Sequence, residues 1–217
     1  MDKPIWDYSE LLEEAQDRIE EKIVSKEVIT MIRTNDIQIV IGSWGSYNEC
    51  NERALGSKWI CLNNYEDWEE IEEELKAQGF ELDGIDEELF IQDIENFPCD
   101  SGVNWDYVHP QTLFELLKKS GILDDDDKYE RAEIFCEIEG YHEWKRRVEE
   151  DEEDWDSDMY LYPDFDWYDL GRHFIHDVCC HEIPDWLENY IDYARYGEEL
   201  SYDGFREYSG GIVEIRR

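Results

Sequence analysis

The charge balance constrains this chain before any motif does. Fifty-nine acidic residues stand against 20 Lys and Arg in 217 residues, a formal net charge of −39. Self-repulsion on that scale opposes a compact state, so a fold must spread the acids over its surface or pair them. Acidic disordered chains avoid the problem by not folding, but they are poor in aromatic residues. Here 14% of residues are aromatic, including nine Trp and fourteen Tyr, and 41% are hydrophobic. That is enough apolar surface to build cores, which excludes wholesale disorder. The charge also excludes direct binding of nucleic acid, because phosphates need clustered Lys and Arg. An anionic membrane surface repels the chain for the same reason.

The opening Met1-Asp2-Lys3-Pro4 lacks the basic and apolar regions of a signal peptide. The longest uncharged run, Ile37 to Asn48, is too short to span a bilayer. Six irregularly spaced cysteines therefore read as reduced, mostly buried thiols. The expectation is a soluble cytoplasmic polyanion.

The acids are not confined to a tail. Net charge is −5 over residues 1–40, −14 over 41–100, −6 over 101–150 and −14 over 151–217. A helix expected over Tyr65 to Gly79 puts Trp68, Ile71 and Leu75 inward. Glu66, Glu69, Glu70 and Glu73 then fall on one outer stripe, flanked by Asp67 and Glu74, with Lys76 as the only relief. Each like-charge pair at that spacing costs roughly 0.2–0.5 kcal/mol. An ordinary solvated face would alternate its charges, so a continuous anionic stripe implies a use. Further acids for such a surface are Glu87, Glu88, Asp151, Glu152, Asp154, Asp156 and Asp158. DNA carries one charge per about 1.7 Å of axis, so the whole net charge matches the phosphates of roughly 20 base pairs. The magnitude suits an imitation of duplex DNA aimed at a DNA-binding protein.

Periodicity suggests an α+β chain in several parts. Residues 9–33 read as an amphipathic helix capped by Ser9, with Leu12, Ala15, Ile19 and Ile23 on one face. Strands are expected at Ile37–Ile41, Lys58–Leu62 and Leu89–Ile94, with a loop from Gly42 to Gly56. Pro110 opens a helix stopped by Gly121, and a second helix runs from about Lys128 to Glu150. The run Glu149 to Asp158, eight acids with Trp155 and Ser157, reads as too charged to pack and as a boundary or exposed face. Beyond it, Trp167, Leu170, Gly171, Phe174 and Val178 trace one helix face. Another helix is expected from Pro184 through Leu187, Tyr190, Ile191 and Ala194 to a stop at Gly197. A hairpin at Gly210-Gly211 closes the chain. The resulting division is 1–34 (helical extension), 35–100 (α+β), 101–150 (helical) and 151–217 (α+β).

Catalytic signatures are weak. His173, His176 and Cys180 fall on one helix face and raise a zinc site or a metal-dependent hydrolase, but no paired-Cys knuckle accompanies them. Asp154 to Asp158 begins like a calcium loop, yet Met159 stands where Gly is required and Phe165 where the bidentate Glu belongs. His142-Glu143 and His181-Glu182 lack the second His of a metalloprotease helix, and no nucleophile elbow or phosphate loop is present. Halophilic adaptation also yields acidic surfaces, but the aromatic and cysteine content fits it poorly. The expectation is a non-enzyme with no cofactor and no dedicated metal.

Two stretches then resemble a known family. Gly45-Ser46-Tyr47-Asn48-Glu49 with Gly56 and Trp59, followed by Phe90-Ile91-Gln92-Asp93, resembles the opening strands of the ArdA antirestriction family. Ile183-Pro184, Leu187, Tyr190-Ile191-Asp192-Tyr193, Tyr196-Gly197 and Leu200 resemble its antirestriction motif, and Gly211–Ile215 its closing strand. The resemblance covers about residues 37–217 in order. It implies an elongated three-part protein, carried by a phage or mobile element, that dimerises through its C-terminal part. It further implies a mimic of bent DNA that fills the DNA-binding groove of type I restriction–modification enzymes. The alternative is a mimic aimed at another defence protein, such as a CRISPR effector. The Tyr190 motif reads either as a core helix with tyrosine anchors or as a dimer contact.

Overall fold

The computed structural model describes residues 36–99, 102–151, 154–179 and 182–216. The helix expected over 9–33 lies outside the described residues. The remainder belongs to one compact unit, Ile37–Arg217.

Its first sheet is built on β1 (Gln38–Ser43), with Ile39 and Ile41 fully buried. β1 is the middle strand of an antiparallel trio, between β2 (Ile60–Cys61) and β3 (Leu89–Glu95). β2 is shorter than the five residues expected, because Leu62–Asn64 curls into a 3-10 turn. Asn63 holds that turn by accepting from the Ile37 N–H (2.9 Å) and donating to the Leu123 carbonyl (2.7 Å). The segment expected as a loop after Gly42 is folded. It contains α1 (Trp44–Glu49), capped by Ser43, and a 3-10 turn over Glu52–Leu55, capped by Asn51. Short capping side chains at both N-termini outweigh the weak local helix signal there.

α2 (Trp68–Ala77) and α3 (Pro110–Ser120) form where the periodicity puts them. Trp68, Ile71 and Leu75 are buried, and α3 starts on a proline and stops at Gly121, whose φ of 78° suits glycine. The long helix expected from Lys128 to Glu150 is instead two, α4 (Asp126–Glu139) and α5 (Tyr141–Asp151). Gly140 separates them at φ 83° and ψ 168°, a conformation that ends a helix and that side chains resist. The break turns α5 back against α4.

The acidic run after α5 also departs from expectation. Trp155 is only 1% exposed, its ring 6.0 Å from Phe135 and 6.3 Å from Trp144, and its Nε1–H donates to the Ser120 carbonyl (3.0 Å). Arg147 lies over Phe135 and ion-pairs with Asp158, also donating to the Arg216 carbonyl (3.1 Å). Among the described residues, Trp155 and Asp158 anchor the run to the core although Asp151 and Asp154 stay exposed, because one large apolar ring and one arginine offset the acids beside them. A single hydrophobic cluster therefore runs from Ile37 through α2–α5 to Trp155, Met159, Val213 and Ile215. Trp155→Ala is expected to cost about 3–5 kcal/mol in chemical denaturation, through both the cavity and the orphaned Ser120 carbonyl.

The second sheet orders β4 (Met159–Pro163), β6 (Gly211–Ile215) and β5 (Phe205–Tyr208), all antiparallel, with the β5–β6 hairpin where it was expected. Between β4 and β5 lie α6 (Trp167–His173), a π-helical turn over Phe174–Val178, α7 (Asp185–Glu188) and α8 (Tyr193–Leu200). The π turn rotates the helix face, and Val178, expected inside, is 52% exposed. Asp192 caps α8 by accepting from the Arg195 N–H (3.1 Å), so the helix expected from Pro184 is split. Gly197, expected as its stop, sits inside α8 against α6. Leu170, Leu200, Phe205 and Ile212 form a second, smaller cluster, on which Trp167, Phe174 and Tyr196 pack. The described fold is α+β, with eight α-helices and two three-stranded antiparallel sheets.

Candidate functional site

The acids of α2 are held by local chemistry that the stripe argument left out. Asp67 accepts from the Glu70 N–H (3.1 Å), and the Glu70 carboxylate accepts from the Glu66 N–H (2.9 Å). The first bond satisfies an N–H that a helix start leaves open, and the second ties the first turn to the residue before its cap. Glu69 and Glu70 sit in the first turn, where the helix dipole favours negative charge. Lys76 reaches Glu72 (3.3 Å), while Lys118 from α3 approaches Glu66 (3.9 Å) and Asp124 (3.7 Å). Lys76 is thus not the only relief, as the sequence suggested: tertiary packing supplies a second cation. Glu74 is half-buried and accepts from Gln78 (2.8 Å). Glu69 and Glu73 stay exposed on α2, and Glu87 and Glu88 are exposed just before β3.

The C-terminal acids divide differently. Asp151 and Asp154 are exposed, and Glu152 lies outside the described residues. Asp156 is half-buried 3.3 Å from Arg131, and Asp158 pairs with Arg147. These two were expected on the anionic surface. The structure makes them ion-pair partners instead, because folding brings arginines from α4 and α5 onto them.

The Gly45–Glu49 motif forms a bolt between α1 and the turn before β3. A Cβ on Gly45 would lie 1.9 Å from the Ile85 carbonyl oxygen, so only glycine lets α1 approach. Ser46 is fully buried and donates to Asp86, which is also fully buried. Asp86 accepts from the Glu81 N–H (2.8 Å) and is ion-paired with Arg53, whose Nε lies 2.9 Å away, and Asn51 donates to the Ser46 hydroxyl (3.0 Å). Burial pushes the Asp86 carboxyl up. The Glu81 amide, the Ser46 and Ser43 hydroxyls and Arg53 outweigh it and hold it below the usual carboxylate range. Asp86→Asn is therefore expected to cost about 2–3 kcal/mol at neutral pH. With the folded value depressed, the contribution of Asp86 is complete above the unfolded value, about pH 4. It is lost as pH falls through the folded value, so melting curves of wild type and D86N should converge in acid. Nothing in the sequence distinguished Asp86 from the other acids. Its partner Ser46 is 40 positions away.

The Tyr190 motif is part buried and part exposed. Tyr193 is 3% exposed with its hydroxyl 2.7 Å from His176 Nε2, Asp192 caps α8, and Gly197 is buried. Leu187 and Ile191 are half-buried, whereas Tyr190 is 81% exposed and its neighbour Trp186 is 71% exposed. Trp186 was missed in the sequence, although a tryptophan next to a motif leucine was a usable signal.

The histidines have separate partners. His173 Nδ1 lies 2.9 Å from Asp177, and His176 lies 3.7 Å from Glu188 besides its bond to Tyr193. Cys180 lies outside the described residues. Among the described residues no group of three or more His, Cys, Asp or Glu is arranged to hold a metal ion. No helix among them is long and apolar enough to cross a membrane.

A two-sheet α+β fold with exposed carboxylates on α2, before β3 and after α5 defines an acidic α+β protein. The sequence matches the family described as antirestriction protein (ArdA) over residues 39–214, from β1 to β6, and the chain belongs to that family. No curated protein matches the chain. The family description is of antirestriction, an inhibitory activity directed at restriction–modification enzymes.

Proposed function

We propose that this chain is a non-catalytic DNA mimic that occupies the DNA-binding groove of a type I restriction–modification enzyme. The observation that carries the reading is the set of exposed carboxylates on α2, just before β3 and at and after the end of α5, Glu69, Glu73, Glu87, Glu88, Asp151 and Asp154, in an antirestriction family member. A groove evolved to neutralise phosphates attracts such a surface through long-range charge, so association is fast and weakens with salt. No bond is made or broken. Inhibition is occupancy. Glu66, Asp67, Glu70 and Glu74 contribute negative charge to the same helix while also holding its structure.

Dimerisation belongs to the same reading. Tyr190 and Trp186, large aromatic rings left in solvent beside Leu187, suit a contact with a second copy about a two-fold axis. The dimer would place two anionic surfaces in one particle, lengthening the imitation. Residues 35–100, 101–150 and 151–217 would then present successive stretches of it, in the cytoplasm of a host that carries the restriction system.

The test is competition on a purified type I enzyme, with duplex DNA as the displaced ligand. At low salt, excess protein should abolish DNA binding, and rising salt should weaken protein and DNA together. Undiminished DNA binding by that enzyme would sink the type I assignment. Displacement only from another DNA-binding defence protein would redirect the same surface to that target.

A further inference from the structure

The first sheet has two faces, and the main cluster uses one of them. Ile39, Ile41 and Ile91 pack inward with Trp68, Ile71 and Leu75 of α2. Side chains alternate along a strand, so Val40 and Phe90 point the other way. Both are buried, yet neither belongs to either hydrophobic cluster. Local residues cover them. The Trp44 ring stacks on Phe90 with centroids 4.2 Å apart, and Tyr47 meets Trp44 edge-on at 5.9 Å. Gln92 continues the face, its Oε1 lying 3.0 Å from where a Cβ on Gly42 would stand and 2.5 Å from one on Gly56. Val40 Cγ1 is 2.7 Å from that same Gly56 position. Trp59 precedes Ile60, which is buried opposite Ile39, so Trp59 lies on the Val40 side of the sheet.

This outer face reaches solvent through large apolar groups. Tyr47 is 54% exposed, Trp59 42% and Leu55, beside Gly56, 83%. Single exposed apolar residues are ordinary, but these three border one continuous run of contacts from Tyr47 to Gly56. Their surroundings are anionic. Glu49 ends α1, Glu52 starts the 3-10 turn, Glu87 and Glu88 precede β3 and Asp93 stands opposite Val40, all of them exposed. The Glu88 carbonyl accepts from the Trp44 N–H (3.0 Å), which fixes that acid beside the stacked rings. The bases of the same segments are Lys58 and Arg53, and Arg53 is paired with Asp86.

An aromatic centre with a charged rim is the arrangement of an interface hot spot, and the sign of the rim selects a basic partner. Among cations the guanidinium fits best. It is flat, weakly hydrated and stacks on rings, whereas an ammonium is a strongly hydrated point charge. We propose that the outer face of the first sheet is a docking surface for a basic protein partner, its exposed rings receiving arginine side chains that the surrounding acids attract. The proposal deepens the DNA-mimic reading and rests on it for the identity of the partner. The carboxylates act at a distance and set the rate of approach, while the rings act on contact and slow departure.

Titration of the purified full chain with nona-arginine and nona-lysine peptides tests this. In about 0.5 M salt, where charge is largely screened, nona-arginine is expected to bind about fivefold tighter than nona-lysine. Tyr47→Ala combined with Trp59→Ala should abolish that preference. Tyr202→Ala, which removes a ring 89% exposed just before β5, should keep it. Equal binding of the two peptides by the wild type overturns the proposal whatever the variants do. So does an arginine preference that survives in the double variant. A difference in sedimentation mass between wild type and double variant also overturns it, because a second copy would then cover the face. On a type I enzyme the double variant should inhibit about 10-fold less, with a gap that persists as salt rises. Equal inhibition by the two at every salt concentration overturns the docking role. A wild type that fails to displace DNA would remove the type I partner, while the peptide comparison still decides the face.

Discussion

Gly197→Ala is expected to lower the melting temperature by roughly 10 °C, a loss of about 3 kcal/mol in a unit of this size. Helix propensity alone predicts the opposite sign, since alanine inside an isolated helix gains about 0.8–1 kcal/mol over glycine. Packing decides the matter. A Cβ on Gly197 would stand 1.8 Å from the Trp167 carbonyl oxygen, and one on Gly171 would stand 2.0 Å from that of Tyr193. The obstacles are backbone atoms, so no rotamer change relieves them, and α6 and α8 would have to move apart. That would open the small cluster of Leu170, Leu200, Phe205 and Ile212 beneath them. Gly84→Ala is the control, because its nearest neighbours are 3.5 Å away, and it should melt with the wild type. If G197A melts at or above the wild-type temperature, the two helices do not meet backbone to backbone.

The second large effect concerns inhibition. Glu69→Lys combined with Glu73→Lys reverses two exposed charges on α2 that take no part in its capping. Inhibition of a type I enzyme at low salt should weaken by about 10-fold to 100-fold, since each lysine replaces an attraction with a repulsion in the groove. The gap should narrow as salt screens both surfaces. The fold should melt close to the wild type, because the relief of like-charge neighbours is offset by losing the carboxylate of Glu69 from the first turn, where the helix dipole favours it. Equal potency of variant and wild type at low salt would remove α2 from the contact surface.

Elements with complete local instructions were legible in advance. α2 has an inward stripe, an acidic cap and a single face. α3 carries proline at its start and Gly121 at its end. The closing hairpin follows from its paired glycines. The failures share one cause. Gly140 looked like one weak residue in a long helix, and Ser43 and Asn51 looked like loop residues, because backbone dihedrals and caps act at single positions that a periodic pattern averages away. The acidic surface was legible as a quantity but only partly as a place. Asp86, Asp156 and Asp158 read like every other carboxylate until folding set Ser46, Arg131 and Arg147 against them.

Charge, hydrophobic period and motif order are properties of neighbours along a chain, and they determined that this is an acidic α+β protein of the antirestriction family. Which acids stay exposed, why Trp155 is buried inside an anionic run and why Gly197 cannot carry a methyl group were decided by tertiary structure alone. Those outcomes depend on groups far apart in sequence, such as Trp155 and the Ser120 carbonyl, meeting at about 3 Å. Hydrogen bonds and steric contacts are too short-ranged for linear spacing to foretell them.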